Sequence, residues 1–164
     1  MSRISIDTLK VATLKIQAMD FRQKELLLDE IYQNQPHMLG LVLVQQKFGV
    51  SLEKIDFLLT ILLTCFQAMK DSGLKWSKIT EDEIDRQMNR FVATVNFAND
   101  LGNSLQNQSI QQYAEGHHEI ALLAYVQAET ESWLKRIKPE ESDKNLIIAA
   151  MTFVNCIASA RLVS

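Results

Sequence analysis

A chain of 164 residues suffices for one domain, residues 1–164, burying roughly 70% of its unfolded surface. Its composition, 47% hydrophobic and 23% charged, excludes disorder and a wholesale membrane class. The net charge of -3 gives no electrostatic footprint for nucleic acid or anionic lipid, although a local patch can hide inside such a total.

Five Gly and two Pro leave few breakers, so long helices with short connections are expected. The start, MSRISIDTLK, has no apolar core of signal-peptide length, because Asp7 and Lys10 interrupt it. From Asp7 to about Gln33 neither Gly nor Pro occurs, and Asp7 with Thr8 can cap one long helix. Val11, Leu14, Ala18, Phe21, Leu28 and Tyr32 fall at heptad-like steps and predict its packing face, widened by Leu9, Ile16 and Leu27. The pattern lasts under four heptads, too short to favour coiled-coil pairing.

Pro36 suits the first position of a second helix running to Phe48, which Gly49 ends. Ser51 then caps the stretch that organises the chain. Ile55 to Met69, IDFLLTILLTCFQAM, is apolar on nearly every side when coiled, so it must be buried. Asp56, Thr60, Thr64, Gln67 and Asp71 form its one polar strip. Residues 71–78, DSGLKWSK, read as a loop in which Trp76 covers one end of the core. Thr80 to Glu83, TEDE, is a capping-box pattern opening an amphipathic helix with Ile84, Met88, Phe91, Val95, Ala98 and Leu101 at helical steps. A break is expected near residues 104–109, with one continuous helix over 80–138 as the alternative; a fifth helix follows from about Ser109 to Lys138, stopped by Pro139. Ser142 opens a last helix, apolar from Leu146 to Val163. Lys144, Asn145 and Arg161 leave it short of the ~20 apolar residues of a membrane span.

Residues 44–58 resemble a helix-turn-helix motif locally, with Val44, Phe48, Ile55 and Leu58 at the apolar positions around Gly49. Gln45 stands where that motif needs a small residue. Its reading positions Leu52, Glu53, Lys54, Asp56 and Phe57 carry more acid than base, so DNA is not expected to bind. In EGHHE, Glu115 and His118 have the Glu-x-x-His spacing that puts two metal ligands on one helix face. The other histidine outside this run, His37, has no Glu three residues before it, so a di-metal set is incomplete and no metal is expected. No GxSxG elbow and no glycine-rich phosphate loop can be written. Cys65 and Cys156, each in an apolar segment, read as free thiols of a reducing compartment, and the cytoplasm is the expected location.

The expectation is an all-α, single-domain bundle of five to six helices around a buried central helix at about 51–71. By elimination its function is a helical interaction or scaffold role, self-associating, without catalysis or cofactor. The second reading is a ligand-binding or enzymatic bundle whose internal pocket gathers His117, Asn155 and Asn96. A DNA-binding regulator using 44–58 is the third. Its partner is expected to be a second copy or another protein, and neither nucleic acid nor membrane.

Overall fold

The computed structural model describes residues 2–99 and 113–163, with side chains of the first stretch described through Asn96. They form α1 (Ile6–Ala18), α2 (Phe21–Asn34), α3 (Pro36–Leu43), a 3-10 turn (Val44–Phe48), α4 (Leu52–Asp71), α5 (Glu81–Asn99), α6 (Ile120–Leu134) and α7 (Asp143–Ser159). The fold is all-helical, and these helices pack against one another around α4 and α7. Among the described residues, no helix is long and apolar enough to cross a membrane.

The single long helix expected over 7–33 is divided in two at Asp20. Asp20 Oδ1 accepts from the Gln23 amide at 2.8 Å while Gln23 Oε1 accepts from the Asp20 amide at 2.9 Å, a reciprocal capping box that starts α2. No glycine or proline marks the break; an Asp followed three residues later by Gln is its whole signal. The start of α1 also differs, since Ser5, rather than Asp7 or Thr8, is the cap and accepts from the Thr8 amide at 3.1 Å.

The break changes which residues face the core. Leu9, Ala12 and Ile16 of α1 and Leu27 and Ile31 of α2 are buried. Much of the heptad-spaced set expected to pack is turned outward: Leu14 is 64% exposed, Phe21 79% and Tyr32 69%, with Val11 also exposed. Both helices are apolar on two sides, and α4 takes the side carrying Leu9 and Ile16.

Pro36 occupies the first turn of α3, and Gly49 ends the 3-10 turn in the left-handed region at φ 78°, which costs a glycine little. Ser51 Oγ then caps α4 by accepting from the Lys54 amide at 3.4 Å. Every residue from Ile61 to Met69 is buried, as an all-round apolar helix requires. The polar strip of α4 is partly covered too. Thr64 and Gln67 are buried, Gln67 donating to Asp71, which also receives Lys15 of α1 at 3.0 Å. On its other sides α4 meets α7, whose Leu146, Ala150, Phe153, Val154 and Ile157 are fully or almost fully buried.

Helix α5 starts with the Glu83 amide donating to Thr80 Oγ1 at 3.1 Å, while the Glu83 carboxylate turns to Arg86 and Gln87. Ile84 is buried and Val95 exposed; Ala98, Leu101 and the break expected at 104–109 lie outside the residues whose side chains or backbone are described. Residues 113–115 are helical and a turn over 116–119 follows, which interrupts both the fifth helix expected to run to Lys138 and the alternative of one helix over 80–138; α6 begins at Ile120 and stops at Leu134, while the expected start near Ser109 lies outside the described residues. Helix α7 ends at Ser159, after which Arg161 to Val163 run extended beside residues 75–77, closed by Ser77 N to Arg161 O at 2.9 Å and Val163 N to Lys75 O at 2.7 Å.

Candidate functional site

Two surfaces stand out. The first is a groove of about 560 Å³ between α1 and α6. Its α1 wall carries Ile6 and Leu14, both large and exposed, and its α6 wall is made of the small residues Ala121 and Ala124. Tyr125 lies along the floor; burial pushes its phenol up to about 12, against hydrogen bonds to Thr64 and Thr13 that lower it. Lys10 stands at the α1 rim and Glu129 at the α6 rim.

The second surface is polar and unites two of the three residues singled out as pocket candidates. Asn155 of α7, 9% exposed, accepts at Oδ1 from the Tyr113 hydroxyl at 2.9 Å and lies 2.8 Å from His117 Nε2. His117 Nδ1 accepts from the Glu119 amide at 3.0 Å, so Nε2 carries the proton and is the donor to Asn155. Tyr113 meets the His117 ring edge-on at 5.6 Å between centroids. Burial raises the Tyr113 phenol, while Asn155 and the nearby Arg90 charge pull the other way. These groups line a cavity of about 600 Å³ between α5 and α7. Asn96 does not share it: that residue stands exposed on α5, while Arg90, Phe91 and Thr94 of the same helix line the cavity. The participation of Tyr113 and Arg90 was not foreseen, because each reaches the site through a contact between segments distant in sequence.

The Glu115 and His118 pair depended on one helical face, and the chain turns there instead. Glu115 ends a helical stretch and His118 is exposed within the turn 116–119. Among the described residues, no group of three metal-ligating side chains forms. Glu119, fully buried, faces the chain's start: the Arg3 and Ile4 amides donate to its two carboxylate oxygens at 2.9 and 3.3 Å. The Arg3 guanidinium also donates to the carbonyls of Ile157, Ala158 and Ala160 at the end of α7 and lies 4.7 Å over the Trp76 ring. Trp76 Nε1 in turn donates to Met69 O at 3.0 Å, so this loop residue closes the end of α4.

In the helix-turn-helix-like segment, Lys54 is 7% exposed and points inward to Asp143 Oδ1 at 2.6 Å, and Phe57 stacks on Trp133 with centroids 4.3 Å apart. Two of the five would-be reading positions are therefore committed to packing. The cysteines are buried, and desolvation pushes both thiols up to about 12, so neither has the lowered value of a nucleophile.

No protein-family model matches this chain, and no curated protein and no solved structure matches it either.

Proposed function

We propose that this protein is a non-catalytic helical interaction module that associates with a second copy of itself through the α1–α6 face. The observation that carries the reading is the apolar surface left outward on α1, with Ile6 and Leu14 exposed beside the alanine-lined wall of α6. Contiguous exposed apolar surface marks an interaction site more often than an ordinary face.

A second copy fits because the face is complementary to itself. In a two-fold pairing, a residue touching its counterpart's groove is matched by the reverse contact. Leu14 and Ile6 supply bulk where Ala121 and Ala124 supply space, and the α1 wall carries Lys10 where the α6 wall carries Glu129. The charges of α6 are Glu129 and Glu131, both acidic, which favours the lysine-bearing α1 of a partner. The patch is small: α1 is ~20 Å long and two helices are ~20 Å wide, or ~400 Å² per copy, at the weak end of specific interfaces.

Sedimentation velocity at concentrations up to about 1 mM tests this. The wild type is expected to show reversible dimerisation that Leu14→Glu abolishes with an unchanged melting curve, since Leu14 is largely solvated. Lys10→Glu and Glu129→Lys should each weaken the dimer and together restore it. A wild type that remains monomeric throughout, or a Leu14→Glu variant that dimerises as well, overturns the proposal.

A further inference from the structure

The cavity holding Asn155 adjoins a second one of about 580 Å³; Gln87, Arg90 and Ser159 line both, and Gln87 Nε2 donates to Ser159 Oγ at 2.9 Å where they meet. The second cavity gathers Lys78, Arg86 and Arg161 around Arg90. These four cations come from the loop before α5, from two successive turns of α5, and from the chain beyond α7. In a chain of net charge -3 this is a local concentration of one sign. Arg86 and Arg90 are four residues apart on one helix, a spacing at which like charges repel. Among the described residues the one carboxylate lining either cavity is Glu83, and it is already engaged by Arg86 and Gln87. The arrangement leaves cationic charge unmatched and is suited to an anion with several charges.

The other end has different chemistry. Phe91 and Tyr113 offer ring surfaces, and the Oδ1 of Asn155 is occupied by two donors, which fixes the amide orientation. What Asn155 has to give a ligand is its Nδ2 donor, held nine-tenths buried beside those rings. An aromatic wall with a fixed donor recognises a planar ring bearing an acceptor. Each cavity lies within the size range of small-molecule sites, roughly 300–1,000 Å³, and the ring end suits one planar group better than a run of stacked bases.

We infer that this furrow binds a mononucleotide, its base against Phe91, Tyr113 and Asn155 and its phosphates toward Arg90, Arg86, Arg161 and Lys78. The site uses α5, α7 and the turn before α6, and it stands or falls independently of self-association through the α1–α6 face.

Isothermal titration calorimetry of the full chain with the four common ribonucleoside triphosphates, tripolyphosphate and the parent nucleosides, at low salt, tests it. At least one triphosphate is expected to bind more tightly than tripolyphosphate and than its own nucleoside, because both ends of the furrow contribute. Arg90→Gln should weaken that triphosphate about tenfold or more, the loss expected for one charge-assisted bond. Arg161→Gln, at an exposed residue, should weaken the triphosphate more than its parent nucleoside, and thermal melts of both variants should match the wild type. Absence of binding for all four up to about 1 mM overturns the inference. So does tripolyphosphate binding as tightly as every nucleotide, which would mean a charged surface without a ring site. Tighter binding of a short single-stranded oligonucleotide than of any mononucleotide, lost in the same variants, would replace the small ligand with a polymer.

Discussion

The ammonium of Lys54, in the first turn of α4, lies 2.6 Å from Asp143 Oδ1, in the first turn of α7, and 89 residues separate them in sequence. The same Nζ donates to Lys138 O at 3.0 Å and pairs with Glu140 at 3.1 Å, while Asp143 Oδ2 accepts from the Glu140 amide. The pair fixes the N-terminus of α4 to the first turn of α7 and to the loop that precedes it.

That pair predicts the shape of the stability curve at both pH extremes. Burial alone would raise Asp143, but the Lys54 hydrogen bond and the Glu140 amide hold it below its ordinary 3.8. Its contribution is therefore present above that value and lost as pH falls through the lowered one. For Lys54, burial alone would lower the value, and the bonds to Asp143 and Glu140 raise it above 10.5. Its contribution is present below 10.5 and lost as pH rises through the raised value. Melting curves of the wild type and Asp143→Asn should differ most near neutrality and converge in acid. A difference that stays constant down to pH ~2 would contradict this assignment.

Arg3 should matter more than its place near the chain's start suggests. Replacing it with Ala removes the bonds to three carbonyls of the α7 terminus and leaves the fully buried Glu119 carboxylate with backbone partners. A cost of about 1.5–3 kcal/mol is expected from losing hydrogen bonds to charged groups. The Trp76 emission should shift as its cation leaves, and amide exchange should quicken at Ser77 and Val163. Unchanged exchange at those amides would show that the clasp does not depend on Arg3.

Helix α7 is expected to be part of the core. A chain ending at Asn145 lacks the fully buried Leu146, Ala150, Val154 and Cys156 and uncovers a face of α4. It should lose its cooperative unfolding transition. In the intact chain, Phe153→Ala should cost about 3–5 kcal/mol by denaturant titration, as for other buried aromatic residues. A truncated chain that still unfolds sigmoidally would make α7 an appendage.

Gly49 gives a cleaner backbone test. Its φ of 78° lies in the left-handed region, and a Cβ built there meets no heavy atom within 4 Å. Gly49→Ala should therefore cost about 1–2 kcal/mol through conformation alone, and Gly49→Asn should cost less. Equal losses for both, measured by urea midpoints, would indicate a steric origin.

The two thiols should be silent in the native state. Both are buried, with values pushed up to about 12, chiefly by desolvation. A chromogenic disulfide reagent at pH ~8 should label them only as fast as the chain opens, and promptly in denaturant. Rapid labelling of either in native buffer would show access that the fold does not provide.

Composition and local pattern by themselves determined the helical class, the central position of Ile55 to Met69, the Ser51 cap and the Gly49 turn. Each of these depends on residues within a few positions of one another, where propensity, capping and periodicity act. The seam at Asp20 was also local, but its short signal competes with an unbroken run of helix formers. Tertiary structure alone decided which of the two apolar sides of α1 is buried, since both satisfy the helical period and only the fit to α4 selects Leu9 over Leu14. It also decided the company of His117: Asn155 could be named as a polar residue in an apolar helix, whereas Tyr113 and Arg90 join them only once α5 lies along α7. The same holds for Arg3 with Glu119 and Lys54 with Asp143, because a charge chooses its partner by where the packed helices leave it.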